Sequence, residues 1–133
     1  MAEPIVFISR NRIKAGKVDD FRNHYRDSIP PVEADKPGTL LQLAYESEDS
    51  SEVTIIRLFS GAEAMDIHLQ GASDRSKRTY EFIEPVSIEV YGRPNPSTIE
   101  LMKKIAGSGI SLSVDPQLIG GFVRSLESVR QAE

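Results

Sequence analysis

The sequence predicts an α+β fold: an antiparallel sheet built in the order β-α-β-β-α-β, with helices on one face and a C-terminal extension. Three observations predict it. Runs rich in β-branched and aromatic residues recur at Ile5–Ile13, Thr39–Glu46, Val53–Phe59 and Val86–Tyr91. Segments with apolar residues at helical spacing separate the first run from the second and the third from the fourth. Only a polar turn, Ser47 to Glu52, lies between the second and third, which makes those two a hairpin.

The elements follow in order. Ile5-Val6-Phe7-Ile8 is apolar on both faces, so its strand needs cover on both sides of the sheet. Gly16 ends that strand. Val18, Phe21, Tyr25 and Ile29 then form one helical stripe, with Asp19 and Asp20 in the first turn where the helix dipole favours negative charge. Pro30-Pro31 predicts that this helix ends or kinks near Ser28. Ser60-x-x-Glu63 is a capping-box pattern opening a helix to about Gln70. A second helical piece runs from about Asp74 to Ile83, and Gly92-Arg93-Pro94 stops the fourth strand. This arrangement is the ferredoxin-like, split βαβ unit.

At 133 residues the chain has room for one main domain, residues 1–95, and an extension over 96–133. The extension predicts a helix plus a hairpin. Ser97-x-x-Glu100 opens a helix carrying Ile99, Met102 and Ile105, Gly109–Val114 reads as a strand, and Leu118–Val123 as a second short strand or a loop. The polar stretch Ser125–Glu133 reads as a frayed helix or a tail.

With 39% hydrophobic and 27% charged residues, the composition is that of a soluble globular domain. Sixteen basic against twenty acidic residues give a net charge of −4, which lacks the basic footprint of a nucleic-acid binder. The absence of cysteine excludes disulfides, thiolate zinc sites, iron–sulfur clusters and a cysteine nucleophile. No apolar run approaches the roughly 20 residues that span a bilayer, so no membrane association is expected. The opening Met-Ala-Glu-Pro carries no signal pattern, which predicts a cytoplasmic protein.

A sheet apolar on both faces leaves a large bare patch when helices cover only one. A second copy of the chain is the simplest cover, so the sequence predicts a homodimer in which two sheets form a dimeric α/β barrel.

Few residues carry chemistry. His68, on the helix after the third strand, is the first candidate, because imidazole titrates near neutral pH and serves as general base or acid. The competing reading is a half-buried helix histidine bonded to a backbone carbonyl. His24 sits at the edge of the first helical stripe and reads as a boundary residue. Arg57 lies mid-strand among Val53, Ile55 and Phe59. It must anchor an anion or carbonyl in a cavity, or form an ion pair, with Glu89 as the candidate partner. Asn11 and Ser9 offer hydrogen bonds on an otherwise apolar face, to a ligand or to a partner chain. Tyr25 reads as core, and Asp74–Arg78 as a solvated helix face. Two histidines on different helices, without cysteine, leave no ready ligand set, so no metal is expected.

The stretch from Gly16-Lys17-Val18-Asp19-Asp20-Phe21, through Phe59-Ser60-Gly61-Ala62-Glu63-Ala64-Met65-Asp66-Ile67-His68, to Tyr91-Gly92 resembles the antibiotic biosynthesis monooxygenase-like family of the dimeric α/β-barrel superfamily. The resemblance covers about residues 4–93. It implies a cofactor-independent monooxygenase acting on a small electron-rich aromatic such as a quinol, with His68 as the catalytic or ligand-contacting position. The chain has no tryptophan and so lacks the Asn–Trp–His set of the haem-degrading branch. On this reading His68 is base or hydrogen-bond donor, and Arg57 or Asn11 steadies the developing oxyanion. The alternative is a non-catalytic dimeric module that binds a small apolar or aromatic ligand or assists another enzyme.

Overall fold

The computed structural model describes residues 3–124. Its elements are β1 (Ile5–Ile13), α1 (Val18–Asp35), β2 (Thr39–Glu46), β3 (Glu52–Phe59), α2 (Ala62–Leu69), α3 (Ala72–Thr79), β4 (Ile83–Tyr91), α4 (Pro96–Ala106) and β5 (Ser111–Asp115). The sheet order is β2-β3-β1-β4-β5. The first four strands pair antiparallel, and β5 adds parallel to β4. The core is therefore ferredoxin-like, and its sheet stays open.

One sheet face carries the core. Along β1, burial alternates, with Ile5, Phe7, Ser9, Asn11 and Ile13 turned toward the helices. The register places Phe7 opposite Arg57, Ser9 opposite Ile55 and Asn11 opposite Val53. Two apolar clusters result. One joins Ile5, Phe7, Phe59, Met65, Ile88, Val90 and Met102 under α2 and α4. The other joins Ile13, Phe21, Val53, Ile55, Phe82 and Ile83 under α1. Between them runs a polar seam of Ser9, Arg57 and Gln42. The opposite face holds Val6, Ile8, Leu41, Leu43, Tyr45, Ile56 and Leu58, and no described helix covers it.

Several local expectations change. Helix α1 runs through Pro30 and Pro31 to Asp35, where an end or kink near Ser28 was expected. The prolines remove the bonds to the carbonyls of Arg26 and Asp27, but the helix resumes beyond them, with the Lys36 amide donating to the Val32 carbonyl at 2.9 Å. Neither capping box forms. Gly61 and Asn95 hold the N-cap positions without side-chain capping bonds. The Ser60 amide donates instead to the Gly38 carbonyl at 2.9 Å. Asn95 and Thr98 both donate to the Asp66 carboxylate, which fastens α4 to α2. β4 begins at Ile83, earlier than Val86, because Pro85 sits at a β-bulge opposite Arg10 and Asn11, where a missing amide is tolerated. The extension supplies one strand where a hairpin was expected: Leu118–Val123, split by Gly120-Gly121, forms no strand. The expected tail from Ser125 onward lies outside the described residues.

Gly38 is where backbones approach most closely. A Cβ there would lie 2.5 Å from that of Ala64, so only glycine lets α2 settle against the start of β2.

Candidate functional site

A cavity of about 780 Å³ opens above the seam, between α1, the sheet and the α2–α3 pair. Phe21, Tyr25, Ile55, Leu69, Tyr80 and Ile83 give it apolar and aromatic walls, and Gln42, Arg57 and His68 are its inner polar groups. Carboxylates of Asp27, Asp35 and Asp74 also line it.

His68 stands on the last turn of α2 and is 4% exposed. The close approach at Gly38 brings the next residue, Thr39, to it: Thr39 Oγ1 lies 2.8 Å from His68 Nδ1. The Phe59 ring packs against the imidazole at 5.2 Å between centroids. Burial, then the charges of Arg57, Arg75 and Lys36, push the His68 pKa down to about 3. The ring is neutral at physiological pH. A Thr39 hydroxyl that donates to Nδ1 leaves the ring proton on Nε2, and in that tautomer Nε2 is the free donor of a residue that lines the cavity.

Arg57 forms the cavity's cationic floor. Its Nε donates to Gln42 Oε1 at 2.8 Å, and its guanidinium carbon lies 5.6 Å from the Phe7 ring centre. Among the described residues no carboxylate pairs with it. Burial pulls its pKa down to about 10, which still leaves it charged. Tyr25 and Tyr80 are near enough for their phenols to interact electrostatically with this cation. Burial raises both phenol pKa values, with Arg57 pulling the other way, so both stay protonated at neutral pH.

The structure thus brings Arg57 and His68 to one cavity, and Asn11 elsewhere. Asn11 is buried under the sheet's helical face with Nδ2 directed to Ser9, 3.2 Å from Oγ and 3.3 Å from the carbonyl oxygen. It does not line the cavity. Glu89 is not the partner of Arg57: it lies on the opposite face, bonded to Arg10 at 2.8 Å and to Tyr91 at 2.5 Å. Strand parity explains this, since Glu89 stands opposite Ile8, whose side chain points away from the helices.

His24 also borders the cavity. Its Nε2 lies 2.9 Å from Thr79 Oγ1, and Thr79 donates to the Arg75 carbonyl, so His24 donates the proton between them. Burial, then the charge of Arg78, lowers its pKa. Arg75, read from sequence as solvated, donates to the carbonyls of His68 at 2.6 Å and Gln70 at 2.8 Å, and caps the end of α2. Thr39 and Gln42 were not singled out by the sequence, while Tyr80 is one of its four tyrosines, a residue type that often lines pockets. For Gln42 a signal was present: it is the polar residue facing inward between Leu41 and Leu43, in register with Arg57. Among the described residues no group of three metal-binding side chains occurs, and no helix is long and apolar enough to cross a membrane.

Comparison with solved structures places this architecture. MupZ from Pseudomonas fluorescens superposes with a TM-score of 0.67 at 14% identity, over 92% of this chain and 95% of that one. SnoaB, a cofactor-independent oxygenase from Streptomyces nogalater, matches with a TM-score of 0.58 at 13% identity, over 71% of this chain and 96% of its own. A candidate antibiotic biosynthesis monooxygenase from Caulobacter crescentus matches with a TM-score of 0.60 at 18% identity, over 67% and 88%. The chain has the fold of antibiotic biosynthesis monooxygenase-like proteins. At these identities the likeness is one of fold. Among these three, the MupZ match alone covers more than 71% of this chain. No protein-family model matches the sequence, and no curated protein matches it.

Proposed function

We propose that the protein is a cofactor-independent monooxygenase of small phenolic, quinol-like aromatics, working as a homodimer whose open sheet faces cover one another. The observation that carries this reading is the convergence on one aromatic-walled cavity of Arg57, which has no carboxylate partner among the described residues, and the neutral His68 ring. SnoaB, of the same fold, is a cofactor-independent oxygenase.

The chemistry needs an electron-rich anion held away from bulk water. Arg57 lowers the pKa of a bound phenol, whose proton leaves to solvent through the cleft. A ring carbon of the phenolate bonds to one oxygen atom of O₂, and the outer oxygen takes up a proton. The ring carbon then loses its hydrogen as a proton, the O–O bond breaks, and water departs. A carbonyl remains on that carbon, so one oxygen atom of O₂ enters the quinone product and the other enters water. His68, with its pKa near 3, is too weak a base to take the phenolic proton. Its role is to donate from Nε2 to the substrate oxygen, as a preorganised dipole.

A second reading, a ligand-binding module without turnover, is favoured by that same weak basicity. Oxygen uptake over a panel of naphthols, anthrones and quinols separates the two. Uptake with quinone formation, lost in Arg57→Met, is the expected result. Tight binding of panel members with no uptake by any of them overturns the oxygenase and leaves the module.

A further inference from the structure

We infer that the cavity selects aromatic ligands bearing a carboxylate, seated on the Nη1–Nη2 edge of Arg57 and flanked by the Tyr25 and Tyr80 hydroxyls. This deepens the oxygenase reading by naming the group its substrate presents, and it rests on the cavity of that reading.

The geometry supports it in three steps. Gln42 takes the Nε hydrogen of Arg57, which fixes the guanidinium plane and leaves the other edge without a partner among the described residues. That edge carries two parallel N–H groups, which match the two oxygens of a carboxylate. A cation withdrawn from solvent and unpaired is costly for a fold to keep, so an anion arriving there recovers much of the lost solvation. Secondly, no other cation of the cavity is aimed at that point. Arg75 is committed to two backbone carbonyls, Arg78 bonds Glu81 at 2.6 Å, and Lys36 donates to the Ile67 carbonyl at 2.8 Å. With one uncommitted guanidinium and the carboxylates of Asp27, Asp35 and Asp74 lining the same cavity, a tetrahedral dianion such as a phosphate monoester is disfavoured. Thirdly, the protonated phenols of Tyr25 and Tyr80 beside Arg57 are donors at neutral pH, and the flat apolar walls accept an aromatic ring behind the charged group.

The test is calorimetric titration of the full-length protein with naphthoate, its neutral isostere naphthamide, nitrophenol and naphthyl phosphate. The nitrophenol arm is also read by its visible absorbance, at a pH below the phenol's own pKa in solution. Naphthoate is expected to bind at least about tenfold more tightly than naphthamide, the size of one charge-assisted contact. Arg57→Met is expected to abolish that difference by weakening naphthoate, and a urea unfolding midpoint no lower than that of wild type shows that the variant is folded. Preference for naphthoate, lost in Arg57→Met, supports the proposal. Growth of nitrophenolate absorbance with equal affinities for naphthoate and naphthamide assigns the edge to a phenolate and overturns it. Equal affinities for naphthoate and naphthamide with no absorbance change, or naphthyl phosphate as the tightest ligand, overturns it. Oxygen uptake is measured separately: anion preference without uptake keeps the seat and removes the oxygenase, and uptake without anion preference does the reverse.

Discussion

Thr39 and His68, 29 positions apart, meet through a 2.8 Å hydrogen bond that orients the only histidine of α2. When the hydroxyl donates, the bond holds the tautomer with its proton on Nε2, on a ring that lines the cavity. Thr39→Val keeps the shape and removes the hydroxyl. We expect a loss of about 1–2 kcal/mol in stability from the unpaired Nδ1. Nitrogen NMR of the imidazole should also show mixed tautomers in place of one. An unchanged single-tautomer spectrum would show that another group holds the ring.

The low pKa of His68 makes the fold acid-sensitive. Its folded-state pKa of about 3 lies below the ordinary value of 6.5, so the unfolded chain binds the proton first as pH falls. This contribution to stability is intact above about pH 6.5 and declines toward about pH 3, by at most about 1.4 kcal/mol per pH unit. Denaturant unfolding of wild type and His68→Leu across that window checks it: the variant should lose part of the slope.

Arg57 should be worth more to the ligand than to the fold. Arg57→Met removes a cation that lacks a carboxylate among the described residues, and replaces it with flexible apolar volume. Stability should stay constant or rise, by up to about 2 kcal/mol, as measured by urea midpoint. A large loss would mean that the guanidinium is a structural tie.

Gly38→Ala places a methyl group 2.5 Å from the Ala64 Cβ and should cost about 1–3 kcal/mol. Because the clash is between two methyl groups, the double variant Gly38→Ala with Ala64→Gly should recover much of the loss in the same melt. Failure of that rescue would point to backbone strain as the cause.

The uncovered sheet face predicts that light scattering gives twice the mass of one chain. Ile56→Glu, at the centre of that face opposite Ile8 and Leu43, should halve it. A wild-type monomer at micromolar concentration would count against the dimer.

The order of the first four strands and their helices was legible because it rests on periodicity, which the chain states residue by residue. Arg57 and His68 stood out as polar groups in apolar company, and that contrast is also local. What was not legible depends on parity and distance. Glu89 looked like a partner until the β1 register turned it to the other face. Asn11 faces inward as its alternation implies, but sequence carries no sign that Ser9 occupies its amide. The capping boxes matched in spacing, yet the helices start at other residues: the Ser60 amide turns to the Gly38 carbonyl and Gly61 takes the first N-cap, while Asn95 takes the second, ahead of Ser97. Pro30-Pro31 was weighed by propensity alone, and the long α1 outlasted it.

The division of the interior into two apolar lobes, with the hollow that holds Arg57 and His68 beside them, has a mechanical outcome. The lobe under α1 gives its Phe21, Ile55 and Ile83 to the wall of that hollow. An occupant seated there bridges α1 on one side and α2 on the other. Amide exchange should therefore slow in both helices together when the hollow is filled, though each helix touches only part of the guest.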